Sequence, residues 1–242
     1  MAAGAYSLLS LRLLRQDYLR APFNRIGVAM LAAALFTLAW SGFSLLALAV
    51  SAELQIGSVD ELISWLKSNP DRATFASAGP GTSGYFAGTE FARARAVELQ
   101  HVPYRGAIAA IPDVIAARVP VVVAITAELF QHHEAKGIRI LATSGAERSA
   151  FLGDLPTFKE VGVDLSVPNG YSFFAPALTP NDVAERLERE LVAASQSAEI
   201  QGKLAALKLR STGLSAADLQ RALREQYDMW RVIVRRSGFI PE

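Results

Sequence analysis

The clearest change in hydropathy along the chain is an apolar run near the N-terminus, over residues 26–52, that contains no charged side chain. A membrane-spanning helix needs about 20 apolar residues, so this run is long enough to cross a bilayer. Arginines outnumber the one acidic residue before the run, as expected for a cytoplasmic N-terminus; they are Arg12, Arg15, Arg20 and Arg25. The pattern alone therefore favours an inner-membrane anchor through residues 26–52.

Two other interpretations of the same run stay open. A secretory signal would be cut after Val50, Ser51 and Ala52, where small residues suit a signal peptidase. Its apolar region would exceed the usual ~7–15 residues, which counts against this interpretation. Alternatively, the run forms strands and a helix of an α/β core, since strands buried on both faces also read as continuous apolar segments.

After residue 52, short apolar segments alternate with amphipathic ones along the rest of the chain. Strands are predicted at residues 73–76, 101–104, 119–125, 138–143 and 171–175. Helices are predicted between and after them, including one that Ser58 and Glu61 begin as a capping box, a short one over 155–162 and a last one over 215–238. This alternation predicts an α/β fold with a mainly parallel sheet.

Charge and composition exclude several classes of function. Lysine and arginine number 24 against 23 acidic residues, so the chain lacks the basic field that nucleic-acid binding requires. Without cysteine there is no disulfide, thiolate metal site or cysteine nucleophile. His101 is isolated in sequence, and adjacent helical residues such as His132 and His133 point in different directions. We therefore predict no metal and no cofactor.

The best candidate for a binding site is the loop Ser77–Gly84, which joins a predicted strand to a predicted helix. Ligands bind at the carboxyl ends of the strands in open parallel sheets, and the glycines let the backbone approach a ligand closely. Free N–H groups at the start of the helix favour an anion. Because no lysine follows the glycines and the dinucleotide spacing is absent, a carboxylate fits better than a nucleotide phosphate. The alternative is a glycine-rich turn before a capped helix.

A second candidate lies at Tyr104 and Arg105, at the end of the next predicted strand. Arg105 could pair with a carboxylate, or it could be an ordinary solvated surface arginine. An enzyme that uses the Ser77–Gly84 loop as an oxyanion or phosphate site is disfavoured. The loop holds no general base, and the chain has no GxSxG motif.

Charged residues outside these loops are interpreted as structural. Glu128 is expected on the surface of a helix. Three arginines near the C-terminus are expected to complement the dipole of the last helix; they are Arg231, Arg235 and Arg236.

The order of motifs along the chain resembles that of one known family. The stretches that carry the resemblance are SVDELISWLKSNPDRATFASAGPGTSGYFAGTEF, HVPYRGAIAAIPDVIA, ILATSGAERS, LPTFKEVGV, YSFFAPALTP and RRSGFIPE. They are similar to the substrate-binding proteins of tripartite tricarboxylate transporters, the Bug family, over roughly residues 36–242 and more weakly over residues 4–35. The succession of ASAGPGTSG, VPYRG and FFAPALTP is specific to that family.

The resemblance implies an α/β fold of the periplasmic-binding-protein type II kind, with two lobes, mainly parallel sheets and an incomplete first lobe. Residues 1–72 would be the remnant of the first lobe, residues 73–175 the second, ligand-binding lobe, and residues 176–242 helices that return to the first lobe. It implies a periplasmic receptor, not an enzyme, that binds a small organic carboxylate and delivers it to membrane transporter subunits. The predicted ligand-binding residues, from the matching loop and the second candidate segment, are Ser77, Ala78, Gly79, Gly81, Thr82, Ser83, Tyr104 and Arg105.

The chain departs from the family pattern in two places. An earlier segment that supplies the other half of the binding cleft has no counterpart here, so Leu45–Val50 is expected to be a sheet strand. The open apolar edge would then favour self-association. Pro120 and Ala124 stand where the family carries acidic residues, which makes an amino-acid ligand with an ammonium group less favoured. A truncated remnant that binds no ligand and a membrane-anchored interaction protein stay as alternatives.

Overall fold

The apolar run is a β-strand where the structure shows it. The computed structural model describes residues 37–153, 155–206 and 209–240, and strand β1 spans Thr37–Ser51. The predicted strand at Leu45–Val50 is therefore confirmed, and a membrane helix is wrong for the second half of the run. Residues 26–36 lie outside the described part of the chain. Among the described helices, none combines the length and the apolar character needed to span a bilayer.

Two compact units divide the described chain. Unit 1 comprises Leu45–Pro168 and the C-terminal segment from Ile233, and unit 2 comprises Asn169–Val232 together with residues 37–44. β1 and the last helix each contribute residues to both units. The lobe boundaries at residues 72 and 175 stay predictions.

Strands and helices alternate through unit 1. Its further strands are β2 (Thr74–Ser77), β3 (Gln100–Pro103), β4 (Val121–Ile125) and β5 (Ile138–Thr143). Its helices are α1 (Val59–Ser68), α2 (Ser83–Ala94), α3 (Ile111–Ile115) and α4 (Thr126–Glu134), with short 3-10 helices at Ala52–Leu54, Pro70–Arg72 and Ala107–Ala110. The later elements are β6 (Pro168–Phe174), α5 (Asn181–Gln196), α6 (Ala198–Ala206), β7 (Arg210–Ser211) and α7 (Ala216–Ser237).

The sheet of unit 1 has the strand order β3-β2-β4-β1-β5. β2 pairs in parallel with β3 and β4, and β1 runs antiparallel to both β4 and β5. Every strand of this path except β1 therefore points the same way, which gives the mainly parallel sheet that the sequence predicts. The carboxyl ends of β2, β3, β4 and β5 consequently lie along one edge, where open α/β sheets bind their ligands.

β1 reads as a continuous apolar segment because both of its faces are covered. Each residue of Leu46–Val50 is at most 1% exposed. Ala47 and Ala49 belong to a buried cluster that also contains the helical residues Ile111 and Leu129. Since successive strand residues alternate between faces, the other positions of this stretch pack on the opposite side of the sheet. A strand without a solvent-facing position carries the same hydropathy signal as a membrane helix.

The capping box at the start of α1 is confirmed. Ser58 Oγ accepts the Glu61 N–H at 3.2 Å. The Glu61 carboxylate accepts the Gly57 N–H at 2.7 Å, so the return bond goes one residue before the N-cap. Local side-chain chemistry thus fixes the start of this helix.

Replacing Ser58 by alanine is expected to lower the free energy of unfolding by about 1 kcal/mol, because the Glu61 N–H loses its acceptor. Ser64→Ala is the matched control, since the Ser64 hydroxyl donates to the Asp60 carbonyl on the exposed face and caps nothing. Urea unfolding followed by circular dichroism measures both variants. A Ser58→Ala midpoint equal to that of the unaltered chain would contradict the role of the cap.

The short helix predicted over residues 155–162 is wrong. Residues 158–162 form turns, and Thr157 pairs with Thr143 in an isolated parallel bridge. The Thr143 N–H donates to the Pro156 carbonyl (3.0 Å), and the Phe158 N–H donates to the Thr143 carbonyl (2.7 Å). These bonds to the end of β5 hold residues 156–158 in the bridge, in place of the first turn of a helix.

One strand leaves a sheet edge open within unit 1. β5 ends the strand path on one side and is partly covered by the bridge at Thr157. β3 ends the path on the other side and, within the described ranges, pairs with β2 alone. Self-association through the open apolar edge of an incomplete first lobe stays a prediction, and the edge at β3 is a separate one.

Candidate functional site

Thr82 holds the glycine-rich loop between β2 and α2 in shape. Its Oγ1 accepts the Tyr85 N–H (3.3 Å), as an N-cap does, and donates to the Gly79 carbonyl (2.8 Å). One hydroxyl therefore caps the helix and closes the loop. Gly79 and Gly81 have φ angles of 133° and 73°, which are accessible to glycine and strained for residues with a side chain.

Ser77, the first residue of the predicted site, is fully buried. Its Oγ donates to the Gly79 carbonyl (3.2 Å), accepts the Gly79 N–H (3.3 Å) and lies 2.8 Å from His101 Nε2. These contacts occupy the hydroxyl. Ser77 thus holds the backbone of the loop through hydrogen bonds, and its hydroxyl is not accessible to solvent.

His101 is isolated in the sequence, but in the fold it contacts a residue of the loop. β2 and β3 pair with Phe75 opposite His101, and the imidazole reaches Ser77 further along β2. Burial lowers the pKa of His101, so the ring is neutral at neutral pH. The register between two strands creates this pair, and no motif in the sequence signals it. A basic group thus lies beside the loop, but the hydroxyl that it contacts is shielded from solvent.

The second candidate segment lies beside the loop. The Gly106 N–H donates to the Ala78 carbonyl (3.3 Å), so the structure brings the two predicted segments together. The Tyr104 hydroxyl donates to Asp113 Oδ2 (2.7 Å), and burial together with this bond raises the pKa of Tyr104 to about 12. Arg105 is exposed, and its guanidinium has no ion-pair or hydrogen-bond partner among the residues that the structure describes.

The exposed part of the loop is small, and its surroundings favour the binding of a negatively charged group. Ala78 is exposed, and Thr82 and Ser83 are half-buried. The first N–H groups of α2 lack acceptors within the helix and carry the positive end of its dipole. Arg105 adds a full positive charge on the neighbouring segment, and neither residues 77–84 nor residues 104–106 include an acidic side chain. The arrangement can bind an anion.

Two polar residues that the sequence did not assign to the site follow the end of β4 at this same edge. Thr126 Oγ1 donates to the Leu45 carbonyl (2.6 Å). Glu128 is half-buried, and burial raises its pKa although a hydrogen bond from the Ile125 backbone opposes that shift. Glu128 thus lies on the helix as expected but is only partly exposed, because a carboxylate in the third helical position reaches back to the N–H at the helix start.

The family resemblance is supported by matches to known proteins. A family model described as "tripartite tricarboxylate transporter family receptor" matches residues 25–239. The chain is 30% identical over 189 residues to a UPF0065 protein from the tcbD-tcbE intergenic region of Pseudomonas sp., which covers 77% of this chain and 56% of that relative. The chain thus spans little more than half the length of that relative.

The fold is similar to that of two solved structures. Rpa4515 from Rhodopseudomonas palustris, in a structure with adipate, is 25% identical with a TM-score of 0.77, over 85% of this chain and 69% of that one. The periplasmic binding protein BugD is 23% identical with a TM-score of 0.74, over 84% of this chain and 69% of that one. The predicted α/β fold of periplasmic binding proteins is thereby confirmed. Since the family model covers most of the sequence, the chain belongs to the tripartite tricarboxylate transporter receptor family.

Proposed function

We propose that this protein is a periplasmic receptor whose unit 1 binds a small organic acid at the loop Ser77–Ser83 and at Arg105. The observation that carries the proposal is the bond from the Gly106 N–H to the Ala78 carbonyl, because the segment that it brings beside the glycine-rich loop carries Arg105, whose guanidinium has no partner among the described residues. Family membership and the relative with adipate in its structure support the proposal. Delivery of the ligand to membrane transporter subunits is part of it and rests on the family description.

Backbone and side chains take different roles in the proposed site. The residues proposed to contact the ligand are Ala78, Gly79, Gly81, Thr82, Ser83 and Arg105. Ser77 and Tyr104 are proposed to position these groups, since their hydroxyls already bind protein atoms. An arginine fork together with the N–H groups of a helix start is well suited to a carboxylate.

We propose a ligand without an ammonium group. Pro120 and Ala124 are buried and offer no carboxylate to a cation. Glu128 interacts with the Ile125 backbone at the start of α4. An organic acid with one or more carboxylates and no amine therefore fits these groups better than an amino acid.

Isothermal titration of the full chain with adipate, succinate, citrate and benzoate tests the proposal. For an acid that binds, Arg105→Gln is expected to weaken affinity at least ~10-fold, since a hydrogen bond to a charged group contributes about 1.5–3 kcal/mol. Lys67→Gln removes the same charge from the exposed last turn of α1 and is the matched control, with unchanged affinity expected. Equal affinities of Arg105→Gln and the unaltered chain would remove Arg105 from the site.

Thermal unfolding gives an independent measure of binding. An acid at a hundred times its Kd stabilises the folded chain by about 2.7 kcal/mol, which is visible as a shift of the midpoint. A cooperative transition that none of the four acids moves would overturn the proposed carboxylate site and favour a remnant that binds no ligand.

A further inference from the structure

The C-terminal segment from Ile233 onward belongs to unit 1 and is anchored on α2. Arg236 Nη1 lies 3.2 Å from Glu90 Oε2, and Arg93 Nη2 lies 2.8 Å from the same oxygen. The Glu90 side chain is only 6% exposed. A buried carboxylate with two arginine partners fixes where the end of α7 lies, so Arg236 does more than complement a helix dipole.

Phe239 follows a sharp turn after α7. Gly238 has a φ angle of 67°, and the Ser237 hydroxyl accepts the Phe239 N–H at 3.2 Å. The turn directs the Phe239 ring against Tyr85 and Phe86 of α2, with centroid distances of 5.6 and 5.5 Å. Phe239 is therefore held by its own backbone and by two aromatic neighbours.

Tyr85 connects this aromatic contact to the candidate loop. Its ring lies edge-on to the His101 imidazole, with 4.9 Å between the centroids. His101 Nε2 is 2.8 Å from Ser77 Oγ, which binds both the N–H and the carbonyl of Gly79. An unbroken series of contacts runs from Phe239 to the backbone of the glycine-rich loop.

We propose that Phe239 and Arg236 are positioning residues for the carboxylate-binding loop and act through Tyr85 and His101. α7 runs from unit 2 into unit 1, so the segment that carries both residues is continuous with a helix of unit 2. The expected effect on ligand affinity rests on the proposed function, whereas the positioning of the loop by Phe239 and Arg236 does not depend on it. By thermodynamic linkage, a ligand that orders the loop also favours the docked state of the C-terminal segment.

The imidazole of His101 is a sensitive probe of this arrangement. The Ser77 hydroxyl and the rings of Phe75 and Tyr85 contact the imidazole. Burial lowers the pKa of His101. Without Phe239, the Tyr85 ring loses a neighbour and water reaches the imidazole, so the pKa of His101 is expected to rise toward its ordinary value.

NMR of the full chain tests the inference without a ligand. The ring signals of the three histidines are followed against pH, and His101→Gln assigns the signal of His101. In Phe239→Ala we expect an upward shift of the His101 pKa and at least ~10-fold faster amide exchange at Gly79. Phe239→Tyr is expected to preserve both properties. Ile240→Ala, at the 77% exposed neighbouring position, is the matched control and is expected to change neither.

A merely structural role for Phe239 predicts a different result. Amide exchange would then accelerate throughout unit 1, including β4, while the titration of His101 stayed in place, and that outcome would overturn the inference.

If Phe239→Ala fails to fold, Arg236→Gln removes one partner of Glu90, leaves the aromatic residues intact and is expected to give smaller shifts of the same sign. An unchanged His101 titration in the variant or variants that fold would also overturn the inference. Failure of the unaltered chain to bind adipate would count against the proposed function alone.

Discussion

Alanine in place of Gly84 is expected to destabilise unit 1 by about 3 kcal/mol, at the upper end of the usual cost of overpacking a core. A Cβ at this position would lie 2.4 Å from the Val123 carbonyl oxygen and 3.4 Å from the Ser77 Cβ. Gly84 is buried in the first turn of α2, and its missing side chain lets that helix approach β4. α2 and β4 cannot move apart without disturbing the loop that Thr82 closes.

Gly202→Ala is the matched control for this substitution. Gly202 is exposed in α6, and an added Cβ would meet no atom within 4 Å. Alanine there is expected to raise the free energy of unfolding by about 0.5–1 kcal/mol, because alanine has the higher helix propensity. Urea unfolding followed by circular dichroism measures both variants. A Gly84→Ala chain as stable as the unaltered one would show that α2 has room above β4.

β1 illustrates what hydropathy alone can decide. The run over residues 26–52 predicts burial on all sides, but a strand covered on both faces and a membrane helix satisfy that condition equally. Long-range pairing distinguishes them, because Ala47 lies opposite Ala124 on one side and Thr143 on the other. The antiparallel direction of β1 depends on the same pairings, which no local pattern encodes. The family resemblance, and not the periodicity, favoured the strand at Leu45–Val50.

Elements with locally determined ends were predictable from the sequence. Ser58 and Glu61 begin α1 through their own hydrogen bonds, and Gly238 follows the end of α7 with the left-handed conformation that glycine favours. The segment over residues 155–162 was not predictable in this way. Its backbone groups bond to the end of β5, and that competition is invisible in the local sequence.

The same distinction applies to the candidate site. The loop Ser77–Gly84 was found because a strand, three glycines and a helix start are contiguous in the chain. The contact between Ser77 and His101 depends on the register of two strands. The ion pair between Glu90 and Arg236 depends on the return of the C-terminal segment to α2. The local sequence therefore located the loop but not the roles of His101 and Arg236, because their contacts depend on strand register and on the return of the C-terminal segment.

Removing the Ser144 hydroxyl is expected to cost about 3 kcal/mol, because two buried backbone groups would each lose a partner at about 1–3 kcal/mol. Ser144 is fully buried directly after β5. Its Oγ accepts the Leu46 N–H (2.9 Å) and donates to the Val167 carbonyl (2.7 Å). One hydroxyl thus ties β1 and the segment before β6 to the end of β5. Ser144→Ala removes both bonds and leaves the surrounding apolar contacts almost unchanged.

Thr143 provides a neighbouring control, for which we expect no loss in the free energy of unfolding or a small gain. It is as fully buried as Ser144, but its Oγ1 has no hydrogen-bond partner among the described residues. Thr143→Val keeps the shape of the side chain and removes an unsatisfied group, so we expect a free energy of unfolding that is unchanged or raised by about 1 kcal/mol. Urea unfolding of the two variants separates hydrogen bonding from burial, because each loses one hydroxyl at an adjacent, equally buried position. Similar midpoints for Ser144→Ala and Thr143→Val would show that the Leu46 N–H and the Val167 carbonyl find other partners.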